Sequence, residues 1–545
     1  MKIGIYMTYG PATVLGKEGL GRYIGNLIKG FVGAGHQVTI ACPHWSLPAI
    51  DDLFQDFQIS GSDVDFIVAQ KSPILWRLYD RHKYKRYHAQ SKLKVRLFRT
   101  AADVMNLGVN IFLSLSSVLL FVLVCLAVLA LGIALLPLLL AACVAYFLAR
   151  AAMTLLKKSK SPLRVVLQKT VGLMQTYSSQ RIENLHTYLA QRRDDVVSRD
   201  LVTRINTSDD QDVWFIPALF WPAVKGIKGC KVVCAPDMVT EEFAELFADI
   251  PSIHESANRC KEVLRTEKYF ITYCEYLRSN LVIQNYGKPA DCVTAIPHAN
   301  NAMDKWVTID PSLAKKLNAK KDFTQAFARS QLQVAKTHCA SVDGRYLADF
   351  RFDDVHYIFY ASQVRPHKNM LALIKAYEYL LRRRHVKVKL ILTGDISSSN
   401  SKELMEYIRS KRLEYDVLAF KNVTAQQLAA LYCCADLVVN PTLYEGGFPF
   451  TFGEGMSVGT PSVMSDIPQT RDVTDRYGLS EEMLFDPYDW KSMAERIEYG
   501  LANKERMYQL QLPMYEDQKK RTSKVVAEEY IAAFEYFAAM DKGTK

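Results

Sequence analysis

Acidic residues are almost missing from one part of this chain. Between Arg77 and Lys169 only Asp80 and Asp103 stand against fifteen Lys or Arg. The whole chain carries a formal charge of only +11, so everything outside that stretch is close to neutral and slightly acidic. Basicity confined to one stretch does not make the broad cationic face, interleaved with aromatics, that nucleic-acid binding requires, and no nucleic-acid partner is expected. Cysteine is sparse and odd in number. The eleven cysteines include no C-x-x-C pair, which argues against a disulfide framework and a zinc ribbon and for a reducing compartment. Glycine (26) and proline (20) are too few and too scattered for a collagen or a long low-complexity linker. At 23% charged and 49% hydrophobic, the chain as a whole is neither intrinsically disordered nor polytopic in a membrane. Its 545 residues suffice for two or three domains, each with its own core.

The basic stretch surrounds a run of 46 uncharged residues, Val104 to Ala149, nearly all of them Leu, Val, Ala, Ile, Phe or Cys from Ile111 onward. One helix of that length would reach about 70 Å, whereas the hydrocarbon core of a bilayer is about 30 Å thick. Two passes fit. Gly132 and Pro137 interrupt the middle, so the pattern predicts a hairpin over about 108–155, with helices at about 110–131 and 137–155. Nine Lys or Arg precede the run and six follow it, which by the positive-inside rule puts both ends on the cytoplasmic side. The turn holds no polar residue, so a spanning and a re-entrant hairpin both stay open. Two buried helices of a soluble core are the weaker alternative, because paired basic flanks have no purpose there. Met1 leads straight into a strand and the run begins a hundred residues later, so it is not read as a signal peptide.

Elsewhere strands and helices alternate. Lys2 to Met7 reads as a buried strand, Arg22 to Val32 as a helix ended by Gly33 and Gly35, and Gln37 to Cys42 as the next strand. In the loop Gly16-Lys-Glu-Gly19-Leu-Gly21-Arg22, the glycines let backbone approach a ligand at a helix amino terminus. The glycine spacing is wrong for a dinucleotide fingerprint, and the second strand ends in Ala41-Cys42-Pro43 without the ribose-binding acid, so NAD is not expected. After a polar helical stretch at about 170–205, strands return at Val213–Ile216, Lys231–Ala235, Tyr269–Thr272 and Cys292–Ile296. An amino-terminal domain of 1–299 is therefore interrupted by an insertion of about 70–210. Asp237 directly follows the strand KVVCA, at the carboxyl end where parallel sheets bind ligands. Capping a helix start is its alternative, and the preferred reading for Glu241 and Glu242.

A less regular connection, 300–354, leads to a second alternation over 355–515, with strands in HYIFYA, VKLILTG, VLAF, DLVVN and PSVMSD. A last helix within 516–545 is expected to cross back to the first domain. The fold class is α/β, two Rossmann-like doubly wound domains. Two loops of the second carry the chemistry. In SQVRPHKN, Arg365 and Lys368 stand at a strand's carboxyl end beside a helix start, suited to a pyrophosphate. In PTLYEGGFPFTFGEGMSVGTP, Gly446 and Gly447 free the backbone after Glu445, and Thr451 is read as starting a short helix with Glu454 in its first turn. Carboxylates accept from sugar hydroxyls, and exposed amides cradle phosphate. Thr451-Phe-Gly-Glu454 also spells a capping box, so Glu454 has a local alternative that Glu445 lacks.

The ordered set EGLGRYIGNLIKGFVGAGHQVTI, ITYCEYLRSNLVIQNYGKPADCVTAIPHAN, SQVRPHKNMLALIKAYEYL, AALYCCADLVVNPTLYEGGFPFTFGEGMSVGTPSVMSDIPQTRDV and MLFDPYD resembles the family 4 retaining glycosyltransferases of bacterial polysaccharide assembly. The resemblance covers most of the chain outside about 60–210 and 300–350. It implies a GT-B fold, with a nucleotide sugar held mainly by the second domain and the acceptor mainly by the first. Transfer would retain the anomeric configuration, without an essential metal or a cofactor beyond the donor. It implies Glu445 on the donor sugar, Glu454 on the ribose, Lys368 on the pyrophosphate and the Gly19 to Gly21 loop lining the cleft. Asp237, Gly446, Gly447 and Phe448 are grouped with the donor-binding residues. The chain departs from the family pattern in four places. Eight residues instead of seven separate Glu445 from Glu454, Pro449 stands where Gly is common, and Pro236 where a His is common. Gln363 takes the place of an Arg, for which Arg365 is the substitute.

Breaking a sugar–phosphate bond puts negative charge on the leaving diphosphate and positive charge on the ring. Lys368, Arg365 and loop amides would serve the first, and Glu445 the second. A hydrophobic hairpin in the acceptor-side domain points to a lipid-linked glycan acceptor at the cytoplasmic face of the cell membrane. The alternative, suggested by the altered spacing and Pro236, is a catalytically impaired, membrane-tethered scaffold that binds nucleotide sugar.

Overall fold

The computed structural model describes residues 1–10, 13, 15, 19–70, 193–208, 210–247, 251–307, 320–339, 344–352, 355–396 and 401–543. The hydrophobic run and its basic flanks lie outside these residues. Among those described, no helix is long and apolar enough to cross a membrane.

Two all-parallel sheets organise the described residues. The first holds β1 (Lys2–Tyr6), β2 (Gln37–Cys42), β3 (Val64–Val68), β4 (Val213–Ile216), β5 (Lys231–Ala235), β6 (Tyr269–Thr272) and β7 (Val293–Ala295), in the order β3-β2-β1-β4-β5-β6-β7. The second holds β8 (Tyr357–Tyr360), β9 (Lys389–Thr393), β10 (Val417–Phe420), β11 (Leu437–Asn440), β12 (Ser462–Ser465) and β13 (Leu484–Phe485), in the order β10-β9-β8-β11-β12-β13. Short continuous apolar runs such as VWFI, YIFY and VLAF form these strands because both faces of a parallel sheet are covered, and each of those runs is buried throughout. In both sheets the order reverses after the first strand, leaving a crevice at the carboxyl ends of β1 and β4 and of β8 and β11.

Helix α1 (Gly19–Gly33) starts three residues earlier than the periodicity suggested, so Gly19 and Gly21 lie in its first turn and not in the loop before it. Gly35, with φ +80°, follows its end. The last helix, α12 (Ser523–Gly543), does cross back. A Cβ on Gly30 of α1 would sit 2.3 Å from the Cβ of Ala527, so the glycine is what lets the two helices touch. Tyr530 and Phe534 then enter the first lobe's core, where the Tyr23 hydroxyl donates to that of Tyr530.

The stretch read as an irregular connection contains a helix, α5 (Lys320–Ala335), which packs on α8 (Ala425–Cys433). Ala328, Leu332 and Ala335 share a buried cluster with Tyr432, so this stretch belongs to the second lobe. The chain crosses between lobes near residues 297–300 and again near 521, and the two crossings are stitched together. Asn300 N donates to Arg521 O at 3.0 Å, and Arg521 Nη2 donates to Pro297 O at 2.7 Å.

Candidate active site

The loops after β8 and β11 flank the second sheet's crevice, which is why residues 77 positions apart meet. Lys368 ends a short turn (Pro366–Lys368) before α6 (Met370–Arg383), and its Nζ lies 2.6 Å from Oε1 of Glu445, each side chain about one-fifth exposed (18% and 20%). The loops are also tied through backbone: Leu443 N donates to His367 O at 2.8 Å, and Thr442 Oγ1 to the same oxygen at 3.2 Å. Arg365 is exposed. Its Nε and Nη2 donate to Oε1 of Gln363 at 3.1 and 2.8 Å, so the substitute arginine places its guanidinium beside the position it was read as replacing.

The first lobe closes the crevice with the loop after β5. Asp237 is open to solvent but walled by protein. That burial raises its carboxyl above the usual range, against the pull of its bond from Val239 N (2.8 Å) and of Lys368 and Arg365 across the cleft. Its carboxylate thus satisfies the first amide of the short helix Val239–Glu242, as the helix-start reading expects. Glu241 and Glu242 do charge the first turn of the helix Val239–Glu242, and they also accept from tyrosines, Tyr286 OH at 2.8 Å and Tyr276 OH at 2.9 Å.

The structure gives the glycine pair a packing role. A Cβ on Gly446 would lie 1.9 Å from Pro236 O, and one on Gly447 would lie 3.2 Å from Tyr273 Cβ. Both contacts are with the first lobe. Next to them Tyr444 is inserted among the first lobe's buried side chains, and its hydroxyl accepts from Met238 N at 2.9 Å. Phe448 presents its carbonyl to Nε2 of His298 at 2.7 Å.

At the amino end of the first lobe, Gly21 also has a packing reason: a Cβ there would be 2.1 Å from Leu15 O. Gly19 has nothing within 4 Å of that position and stands open at the first turn of α1.

The capping-box spelling is corrected. Pro449 occupies the cap of α9 (Phe450–Met456) and no side chain caps it, so Thr451 and Glu454 already lie within the helix. Tertiary partners outcompeted the local ones: Thr451 Oγ1 accepts from Asn440 Nδ2 at 3.1 Å, while the Glu454 carboxylate accepts from Asn301 Nδ2 at 2.6 Å and Tyr432 OH at 2.5 Å. Glu454 is buried, 8% exposed.

Sequence reasoning missed three side chains at this site. Tyr360, the last residue of β8, is buried near Glu445. His367, between Arg365 and Lys368, is buried with Nδ1 unbonded, and burial together with those two cations pushes its imidazole down to about 3. His298 follows β7 and reaches across the lobes. The neighbouring Pro-His and His-Lys spellings carry no local signal, since burial alone gives these residues their roles. Among the described residues, no cluster of three or more His, Cys, Asp or Glu could hold a metal ion.

The geometry thus gathers Arg365, Lys368 and Glu445 at the crevice of a parallel sheet, and comparison with known proteins finds likeness to glycosyltransferases. Residues 348–521 match the family model of glycosyl transferases group 1. The match falls on the second lobe and contains both loops. The chain is 23% identical over 188 residues to the lipopolysaccharide 1,2-N-acetylglucosaminetransferase of Salmonella typhimurium, covering 28% of this chain and 49% of that protein. It is 29% identical over 148 residues to the O-antigen chain mannosyltransferase B of Escherichia coli, covering 27% and 37%. The chain thus spans about half or less of these relatives' length. A solved Anabaena protein, HepE in complex with UDP and glucose, superposes with a TM-score of 0.52 at 13% identity over 98% of each chain. That likeness shows the fold, which is GT-B.

Proposed function

We propose that the protein is a retaining glycosyltransferase that moves a sugar from a nucleoside-diphosphate donor to a lipid-linked glycan at the cytoplasmic face of the cell membrane, in polysaccharide or glycolipid assembly. The observation that carries the donor half is the Lys368–Glu445 contact at the crevice, faced by Asp237 from the other lobe. Donor binding would exchange that ion pair: the diphosphate takes Lys368, with Arg365 beside it, and Glu445 turns to the sugar, where its charge favours the cationic ring of the transition state. Closure of the lobes over the crevice excludes the water that would hydrolyse the donor. Glu454 is the ribose ligand in this reading, accepting a hydroxyl in exchange for Asn301 or Tyr432. No metal or cofactor is required, because Lys368, Arg365 and loop amides supply the positive charge.

The UDP complex of the Anabaena protein and the lipopolysaccharide and O-antigen relatives support a nucleotide-sugar donor and a surface-glycan product. The uncharged run of Val104 to Ala149 with its basic flanks supports the membrane and the lipid-linked acceptor.

The test begins with thermal stabilisation by UDP and GDP, which picks the base. Transfer from the matching sugar nucleotides to lipid-linked acceptors in bilayers follows. Wild type should transfer, and Glu445→Ala should lose at least about 10²-fold in rate. Transfer that survives Glu445→Ala undiminished overturns the assignment. Nucleotide binding without any transfer in wild type favours the scaffold reading.

A further inference from the structure

The Glu445 loop is held from the other side of the cleft. Three residues of the first lobe, Tyr273, Cys274 and His298, face positions 446, 447, 448 and 450 of it. Cys274 Sγ donates weakly to Gly446 O at 3.5 Å, Tyr273 backs Gly447, and His298 Nε2 meets Phe448 O at 2.7 Å. The His298 ring also stacks on Pro449's neighbour Phe450, with centroids 3.7 Å apart and planes at 24°. This shelf lies where the eight-residue spacing between Glu445 and Glu454 needs room: Gly447 has its would-be Cβ 3.6 Å from His298 Cδ2 and 3.4 Å from Tyr273 O. Of the three contacts, only His298 combines a short hydrogen bond with ring stacking, so it is the one able to fix the loop.

Burial lowers the imidazole pKa, while the hydrogen bonds to two carbonyls oppose that shift. Nε2 faces Phe448 O at 2.7 Å and Nδ1 faces Ala299 O at 3.1 Å; a carbonyl oxygen can only accept, so the shorter contact is a bond donated by Nε2–H. The acceptor, Phe448 O, lies three residues from Glu445, on a loop whose other end is held by Lys368.

We infer that His298, from the first lobe, is a positioning residue that sets the Glu445 carboxylate of the second lobe by holding the Phe448 carbonyl and the Phe450 ring. The inference rests on the glycosyl-transfer reading for its catalytic meaning, but the positioning itself is physical. Because the shelf and the loop belong to different lobes, Glu445 is in place only while the lobes are together, which ties assembly of the site to closure.

Two measurements test it on the full-length protein. Amide hydrogen exchange of the segment 445–450 should quicken about tenfold in His298→Leu, which keeps bulk and loses the donor, and return towards wild type in His298→Gln, which restores one. The rest of the second lobe should be unchanged. Unaltered exchange in His298→Leu overturns the positioning claim whatever the enzyme's activity. In the transfer assay His298→Leu should lower kcat about tenfold and leave the affinity for UDP or GDP within twofold, since Lys368 is untouched. Combined with Glu445→Gln it should cost little more than Glu445→Gln alone. Additive losses mean that His298 does not act through Glu445. Absence of transfer in wild type sinks the glycosyl-transfer reading instead, and the exchange result still decides the role of His298.

Discussion

The two lobes share one strand order but fill the crevice of that order with opposite chemistry. Between β8 and β11 the second lobe places a cation and a carboxylate, Lys368 and Glu445. At the matching gap between β1 and β4 the first lobe places aromatic rings. Tyr9 meets Trp221 edge-on at 5.1 Å, Tyr6 meets it at 5.8 Å, and Trp45 Nε1 donates to the Tyr9 carbonyl at 2.9 Å. A doubly wound sheet supplies the crevice, and the loops decide what it holds. Charge suits the diphosphate end of a donor, whereas flat rings with polar edges suit a less charged partner.

Four substitutions would break or sharpen that contrast. The largest effect is expected from Lys368→Ala, which removes the cation from the charged crevice: kcat for transfer should fall by at least about 10²-fold. A rate within threefold of wild type would mean that the charged crevice does not hold the leaving diphosphate. Next comes a pair of glycine substitutions, one at the lobe interface and one in the first lobe's open turn. Gly446→Ala drives a methyl into Pro236 O, 1.9 Å away across the interface, and should cost roughly tenfold in transfer while circular dichroism shows both lobes folded. Gly19→Ala meets nothing within 4 Å and should stay within twofold of wild type. Equal rates for the two variants would show that the lobes need not come as close as they do here.

The smallest effect concerns what the charged crevice does to its own lobe. His367 is neutral in the fold, its imidazole pushed down to about 3 by burial and then by Lys368 and Arg365, while in the unfolded chain it titrates near 6.5. Protonation therefore favours the unfolded state, so stability is complete above about pH 6.5 and is lost as pH falls towards 3. Between pH 7.5 and pH 5 this group accounts for about 2 kcal/mol. Urea midpoints at the two pH values should show a larger acid loss for wild type than for His367→Gln. Identical losses would place the acid sensitivity elsewhere.

The sequence was most legible where the physics is local. Strands announced themselves as short apolar runs, because a parallel sheet covered on both faces asks nothing else of them, and the loops with Lys368 and Glu445 stood out at their carboxyl ends. Misreadings came where a local pattern met distant competitors. Thr451 and Glu454 spell a cap, yet Asn440, Tyr432 and Asn301 bind them, and Pro449 takes the cap position. Gly446 and Gly447 read as room for a ligand, and only the opposing lobe reveals that Pro236 and Tyr273 occupy part of that room. Tyr360, His367 and His298 gave no signal, since their importance comes from burial beside particular neighbours.

By itself, then, the amino-acid order determined the element types, the doubling of the α/β pattern and the side chains offered at the strand ends, all set by periodicity over a few residues. Tertiary structure alone decided the strand order, the partners that α12 finds in the first lobe's core, and the cross-lobe holds on the Glu445 loop. Those contacts join residues as far apart as His298 and Phe448, or Tyr23 and Tyr530. Which distant partner a buried polar group finds depends on how the whole core closes around it, and no window of neighbouring residues contains that information.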